Sequence, residues 1–267
     1  MTLSFDDNKA ATAKIARIAV RLDAAATAAR AVSQSAGDDG ISVAEAYEVQ
    51  RALIDLRLGR GARRIGMKMG FTSRAKMLQM GLSDLIWGRL TSDMLVEDGG
   101  IDELFHIHPR VEPEICFLLK KPLTGPVTPL AALAAVEAMA PALEIIDSRY
   151  LDFKFSLADV IADNASSSAL VVGAWHSPSL DFSNLGLVLE IDGRAAEIGS
   201  TAAILGHPLR SLCAASRLAG QAGEVLEAGS LVMAGGATAA VAIKAGANVR
   251  CDMQHLGRVG FTMAKAR

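Results

Sequence analysis

No stretch of this 267-residue sequence combines clustered basic residues with interleaved aromatics. Without that pattern, and with a formal charge of only −2, a nucleic-acid surface is not expected. Long hydrophobic runs are also missing. The most apolar tracts, around Ala131–Ile146 and Ser230–Ile243, are broken by Glu137, Pro141 and several glycines, so neither reads as a membrane span. The N-terminus, Met1-Thr-Leu-Ser-Phe-Asp-Asp, carries acids where a signal peptide carries Lys or Arg. Cysteine is scarce: Cys116, Cys213 and Cys251 are odd in number, widely spaced and set among apolar residues. That usage excludes a disulfide framework or a cysteine zinc site and fits reduced core thiols in a cytoplasmic protein. Gly235-Gly236 lacks the Gly-x-Gly-x-x-Gly pattern of dinucleotide sites, no Ser nucleophile elbow occurs, and there are no repeats or heptad runs.

What is present is a large apolar fraction, 51% of residues, enough for one large domain or a domain with a small appendage. Residues from about Asn8 to Gln34 are Ala-rich, with Ile15, Ile18, Val20 and Leu22 at helical spacing. Ser42-Val-Ala-Glu45 matches a capping box and opens a second helix carrying Ala46, Val49, Leu53 and Leu56 on one face. Residues 1–62 therefore read as a helical N-terminal portion and 63–267 as a second, strand-rich region. Ile65–Phe71 reads as a short strand, followed by a helix capped by Thr72 and Ser73 and running through Met80. Thr128-Pro129 starts a helix to about Ala140, Pro141 ends it, and Ala142–Asp147 is a short strand. Leu185–Ile191, Asp192-Gly193 and Arg194–Ile198 form a hairpin. His207-Pro208 introduces a helix to about Ala222, and the rest is a set of short strands at 231–234, 241–244, 248–254 and 259–263. Helices first and many short strands afterwards predict an α+β fold with a mixed, rolled sheet.

The chemistry centres on Arg110-Val-Glu-Pro-Glu-Ile-Cys-Phe-Leu-Leu119, the start of a buried strand. Glu112 and Glu114 at i and i+2 project from one face, roughly 7 Å apart at Cα. Two like charges on a half-buried face repel and are costly to desolvate, and a hard divalent cation removes both penalties. The pair alone fits equally a solvated edge, and Pro113 between them places this part of the strand at an edge or bulge. Glu144, among apolar neighbours, needs a partner and completes a three-carboxylate site if its strand lies beside that of Glu112. Lys68, inside an apolar strand between two glycines, either snorkels to solvent or supplies a positive charge or proton. A helix end at Thr72–Arg74 either holds a substrate carboxylate or is an ordinary cap. His106 and His108 have a spacing compatible with zinc but no third nitrogen or sulfur ligand.

Four ordered segments carry a family resemblance: Gly66-Met-Lys-Met-Gly-Phe-Thr-Ser-Arg-Ala75, Val111-Glu-Pro-Glu-Ile115, Leu143-Glu-Ile-Ile-Asp-Ser-Arg149 and Ala162-Asp-Asn-Ala-Ser-Ser167. Together they resemble the hydratase/decarboxylase branch of the fumarylacetoacetate hydrolase superfamily, over nearly the whole chain from about Ser42. The resemblance implies a mixed β-roll with flanking helices. It implies a Mg²⁺ site, or Mn²⁺ in its place, on Glu112, Glu114 and Glu144, with Lys68 as the active-site lysine. Substrate contacts fall on Ser73, Arg74, Ile86, Trp87, Asn164, Ser166 and Thr238. Members hydrate 2-hydroxypenta-2,4-dienoate or decarboxylate 2-oxo-3-hexenedioate, a small α-keto dicarboxylic acid, in meta-cleavage degradation of aromatics. In the hydratases an acid/base Asp precedes an aromatic–Gly pair. Here that pair is Trp87-Gly88 and the preceding residue is Ile86, which cannot transfer protons. Decarboxylation is therefore the expected reaction, with hydration as the alternative if Asp84 substitutes. A homo-oligomer and a complex with the pathway's hydratase belong to the same expectation.

Overall fold

The computed structural model describes residues 5–34, 40–72, 84–103 and 105–265. Helix α1 (Phe5–Thr27) and helix α2 (Val43–Gly59) come first, and α2 opens as the capping box requires. The Ser42 hydroxyl accepts from the Glu45 N–H at 3.2 Å, while the Glu45 carboxylate accepts from the Ser42 N–H at 2.8 Å. The expected helix from Thr72 to Met80 lies outside the described residues.

Two sheets follow. The larger runs β2 (Ile86–Thr91), β1 (Arg64–Gly70), β10 (Leu231–Met233), β5 (Arg110–Leu119), β6 (Val136–Ile146), β7 (Ser167–Val172) and β3 (Leu95–Val96), with β11 (Val241–Ala242) also paired to β5. The smaller runs β4 (Ile101–Asp102), β13 (Gly257–Met263), β12 (Asn248–Met253), β8 (Gly186–Ile191) and β9 (Arg194–Ser200). The β8–β9 hairpin turns through Asp192 and Gly193, both at positive φ, as a tight Asp-Gly turn demands. Among the described residues three further α-helices follow: α3 (Pro129–Ala134), α4 (Leu157–Ala162) and α5 (Pro208–Gln221).

The main core lies between the two sheets. Met67, Met69, Ile115, Phe117, Leu143 and Val171 meet Leu187, Leu189, Val249, Val259 and Phe261 there, each fully buried side chain stabilising by roughly 1.5–3 kcal/mol. The other face of the large sheet is covered by α1 and α2, whose Ile18, Leu22, Val49 and Leu53 pack with Ile86, Val160 and Ile161. Cys116 and Cys251 are buried free thiols, and burial pushes both well above the ordinary thiol range.

Two sequence expectations are corrected. The segment after Thr128 is helical only over Pro129–Ala134, and the strand begins at Val136, so Pro141 lies within β6 rather than ending a helix. Pro113, likewise, lies in a strand with neighbours on both sides rather than at an edge. Both prolines occupy gaps in the ladder. The Pro113 carbonyl accepts from Ala237 N–H, between the end of β10 and the start of β11, and the Pro141 carbonyl accepts from Gly173, just past the end of β7. No strand partner waits there for the N–H a proline lacks.

Candidate active site

β5 and β6 pair antiparallel with Glu112 directly opposite Glu144 and Glu114 opposite Ala142. Cross-strand partners share a face, so register alone brings the three carboxylates together. One oxygen from each lies within 4.8 Å of the others, and all three residues are buried. Lys68 reaches the cluster from β1, its ammonium 3.1 Å from Glu144 Oε2. Glu144 Oε1 accepts from the Ser167 hydroxyl at 2.9 Å, and Glu114 Oε2 accepts from Gly235 N–H at 2.7 Å.

The donor set fits a hard divalent cation. Three carboxylates against one lysine leave an excess of two negative charges, which such an ion neutralises. Glu114 Oε1 is fully buried and has no hydrogen-bond partner, a costly state for an acceptor unless something binds it. Burial first, and then the neighbouring Glu144 and Glu112, hold the Glu114 carboxyl well above the ordinary range. Burial raises Glu144 as well, against the opposing pull of Lys68.

The sequence reading missed the glycines that make room for this cluster. Gly235, at φ +103, crosses so close to Thr72 that a Cβ would lie 2.1 Å from its hydroxyl oxygen, and a Cβ on Gly236 would lie 2.9 Å from Glu112 Cδ. Together they carry the chain through the β10–β11 gap against the carboxylates. The only signal for them was a glycine pair closing a short apolar strand.

A cavity of about 160 Å³ opens beside Glu112, lined by Gly70, Phe71, Thr72, Ala203, Gly236 and Thr238 among others. Larger cavities elsewhere touch none of the three glutamates. Of the expected substrate contacts, Thr238 lines this cavity. Ile86 lies opposite Gly70 in the β1–β2 ladder and so on the Lys68 face. Ser166 is buried, with a hydroxyl that has no hydrogen-bond partner. Trp87 pairs with Met69 and projects from the opposite face, stacked on Tyr47 at 5.1 Å. Asn164 engages the Arg89 backbone with both ends of its amide. Ser73 and Arg74 lie outside the described residues. Asp84 is gripped by Arg217 at 2.8 and 2.7 Å, and those hydrogen bonds hold its carboxyl below the ordinary range. His106 bonds Asp102 and Ser168 rather than joining a third nitrogen or sulfur ligand. Among the described residues the acidic triad is the one group arranged to hold a metal.

The model for the fumarylacetoacetate (FAA) hydrolase C-terminal family matches residues 96–264. A 4-oxalocrotonate decarboxylase from Pseudomonas sp is 66% identical over 255 residues, covering 95% of this chain and all of that protein. A 2-hydroxyhexa-2,4-dienoate hydratase from Comamonas testosteroni is 36% identical over 219 residues, covering 80% of this chain and 82% of its own. Among solved structures, 4-oxalocrotonate decarboxylase from Pseudomonas putida G7, complexed with magnesium and adipate, superposes with a TM-score of 0.91 at 37% identity, over 98% of this chain and 99% of that one.

Proposed function

Because the chain belongs to the fumarylacetoacetate hydrolase family, we propose that its acidic cluster and Lys68 serve one reaction: the Mg²⁺-dependent decarboxylation of 2-oxo-3-hexenedioate (4-oxalocrotonate) to 2-hydroxypenta-2,4-dienoate. The observation that carries this choice over hydration is the environment of Ile86 and Asp84. An apolar side chain holds the place of the hydratases' proton carrier, and the nearest carboxylate in sequence is tied to Arg217. The higher identity to decarboxylases than to hydratases agrees with it.

The substrate is a vinylogous β-keto acid. When the C5–C6 bond breaks, CO₂ leaves and the electron pair moves through the C3=C4 double bond to the C2 oxygen. Magnesium held by Glu112, Glu114 and Glu144 supplies a Lewis acid at that end of the substrate. Lys68 adds a positive charge beside Glu144, and in this reading it stabilises the negative charge developing at the C2 oxygen and gives that oxygen its proton. Thr238, Thr72 and Ile86 shape the surroundings, Ile86 offering no charge to the departing carboxylate. A cytoplasmic homo-oligomer, associated with the hydratase that consumes the product, belongs to the same reading. Exposed Ile101, Phe105 and Trp175 provide apolar surface for such contacts. No described helix is long and apolar enough to cross a membrane.

Assaying both substrates with Mg²⁺ and with chelator tests the reading. CO₂ release from 2-oxo-3-hexenedioate that stops on chelation is expected. Rapid loss of 2-hydroxypenta-2,4-dienoate without CO₂ release from the diacid would replace it with hydration.

A further inference from the structure

Lys68 and Glu144 are in contact although their strands are not neighbours. β10 and β5 stand between β1 and β6, so in a flat sheet the two backbones would be ~14 Å apart, three strand spacings. The sheet must curl to close that distance, and the curl must be held where it closes. One edge of the sheet is β2, whose outward backbone groups are met by side-chain amides instead of a strand. Asn164 Oδ1 accepts the Arg89 N–H at 2.7 Å while Asn164 Nδ2 donates to the Arg89 carbonyl at 2.9 Å. Gln50 of α2, fully buried, donates from Nε2 to the carbonyls of Trp87 at 3.0 Å and Ile161 at 2.8 Å. Its Oε1 accepts from Arg89 Nη1 at 2.7 Å. The Arg89 guanidinium also bonds Glu224 through Nε and Nη2, and lies 4.6 Å over the Trp87 ring.

We infer that Gln50, Arg89 and Asn164 form a clamp that closes the curled sheet and thereby sets Lys68 against Glu144. The two ends of the clamp lead directly to the two partners. On one side Gly88, between the clamped residues Trp87 and Arg89, is the ladder partner of Lys68. On the other, Asn164 begins a turn of three left-handed residues, φ +51, +51 and +57 at 164–166, that ends at Ser167, the donor to Glu144 Oε1. The metal ligands are set opposite one another by the β5–β6 register, Glu112 facing Glu144 on adjacent strands, and the clamp reaches them only through the single hydrogen bond from Ser167 to Glu144. The clamp residues are positioning residues: they touch neither the cation site nor the cavity beside Glu112, and they act through Lys68. The inference rests on the decarboxylase reading for its assay and on Lys68 for its mechanism.

The test is a double-mutant cycle between Gln50→Met and Lys68→Met, with kcat, KM and Mg²⁺ affinity measured for each protein. Gln50→Met is expected to lower kcat about tenfold or more, to leave the Mg²⁺ dissociation constant within about threefold, and to add less than about twofold in the Lys68→Met background, since coupled residues are non-additive. Gln50→Glu sets a carboxylate against two carbonyls and should reproduce the loss if the methionine variant does not fold. Unchanged kcat, additive losses, or Mg²⁺ affinity falling in step with kcat would each overturn the clamp. Failure of both Gln50 variants to fold would do so too, since the network would then support the fold at large. Full turnover by Lys68→Met, or no CO₂ release by the wild type, would instead overturn the functional reading.

Discussion

At the scale of single residues, Glu114 concentrates the site's chemistry. Its unbonded, buried oxygen and raised protonation range mean that the metal-free cluster retains protons that a cation must displace. Mg²⁺ affinity is therefore expected to fall as pH is lowered from neutrality toward the ordinary carboxylate value of ~4.3. Proton release should make the calorimetric binding enthalpy depend on the buffer's ionisation enthalpy. The linked stability has a definite sign. A carboxyl whose folded-state pKa is raised contributes stability below its unfolded value and loses it as pH rises through the folded one. Chelated protein should thus lose stability with rising pH, and the Mg²⁺-induced thermal shift should be larger at about pH 8 than at about pH 5.5. An equal shift at both would remove the protonated cluster from the account.

Glu114→Gln is expected to weaken Mg²⁺ binding by tenfold or more, ~1.4 kcal/mol, and to abolish CO₂ release with circular dichroism unchanged. Ile86→Asp tests the other end of the chemistry. Two unit charges ~4 Å apart at an intermediate dielectric repel by ~4 kcal/mol, so a carboxylate near the departing one should slow decarboxylation about a hundredfold or more. CO₂ evolution from both proteins is the measurement, and an unslowed variant would place the substrate's distal carboxylate elsewhere. Spacing and apolar surroundings singled out Glu112, Glu114, Glu144 and Lys68 as candidates but left a solvated edge and a snorkelling lysine open, and it was the family resemblance that joined them into one expected site. The face that Trp87 takes and the Arg89 backbone that Asn164 engages were not legible, because a strand's register and a turn's contact with a distant strand are contained in no local pattern.

At the scale of elements, β5 tolerates Pro113 and requires two glycines beside it for one reason: it is bordered by a broken partner. The break between β10 and β11 spares Pro113 a ladder hydrogen bond and admits Gly235-Gly236 against the carboxylates. Gly236→Ala should accordingly lower Mg²⁺ affinity, since its methyl would press on the Glu112 carboxylate, while the chelated protein melts near the wild-type temperature. A melting temperature that drops without any change in affinity would make Gly236 a packing residue only. The capping box at Ser42 was readable because its donors and acceptors sit within four residues. The residues before Pro141 were misread as helix because alanine-rich sequence is a good helix former, and pairing with β5, with a bridge from Met139 to His176, overrode that preference.

At the scale of the whole molecule, the order of helices and short strands pointed to an α+β roll, and two sheets with a helical cover are what the chain forms. The curl itself was not legible. It depends on residues far apart in sequence: the side chains of Gln50 and Asn164 meet the backbone of Trp87 and Arg89 at the β2 edge where a strand is missing. The left-handed turn at 164–166 also has a bearing on engineering. Ala165 sits at φ +51 with a side chain that disfavours it, a conformation costing roughly 1–2 kcal/mol for an L-residue. Glycine there would relieve that strain but give up ~0.5–1 kcal/mol of chain entropy and, because Ala165 is buried with Ile86, Val160 and Ile161, about 0.8 kcal/mol of methyl burial. Ala165→Gly should therefore leave the calorimetric melting temperature close to that of the wild type, so that packing holds the strained turn beside the reacting groups and leaves no reserve there for thermotolerance.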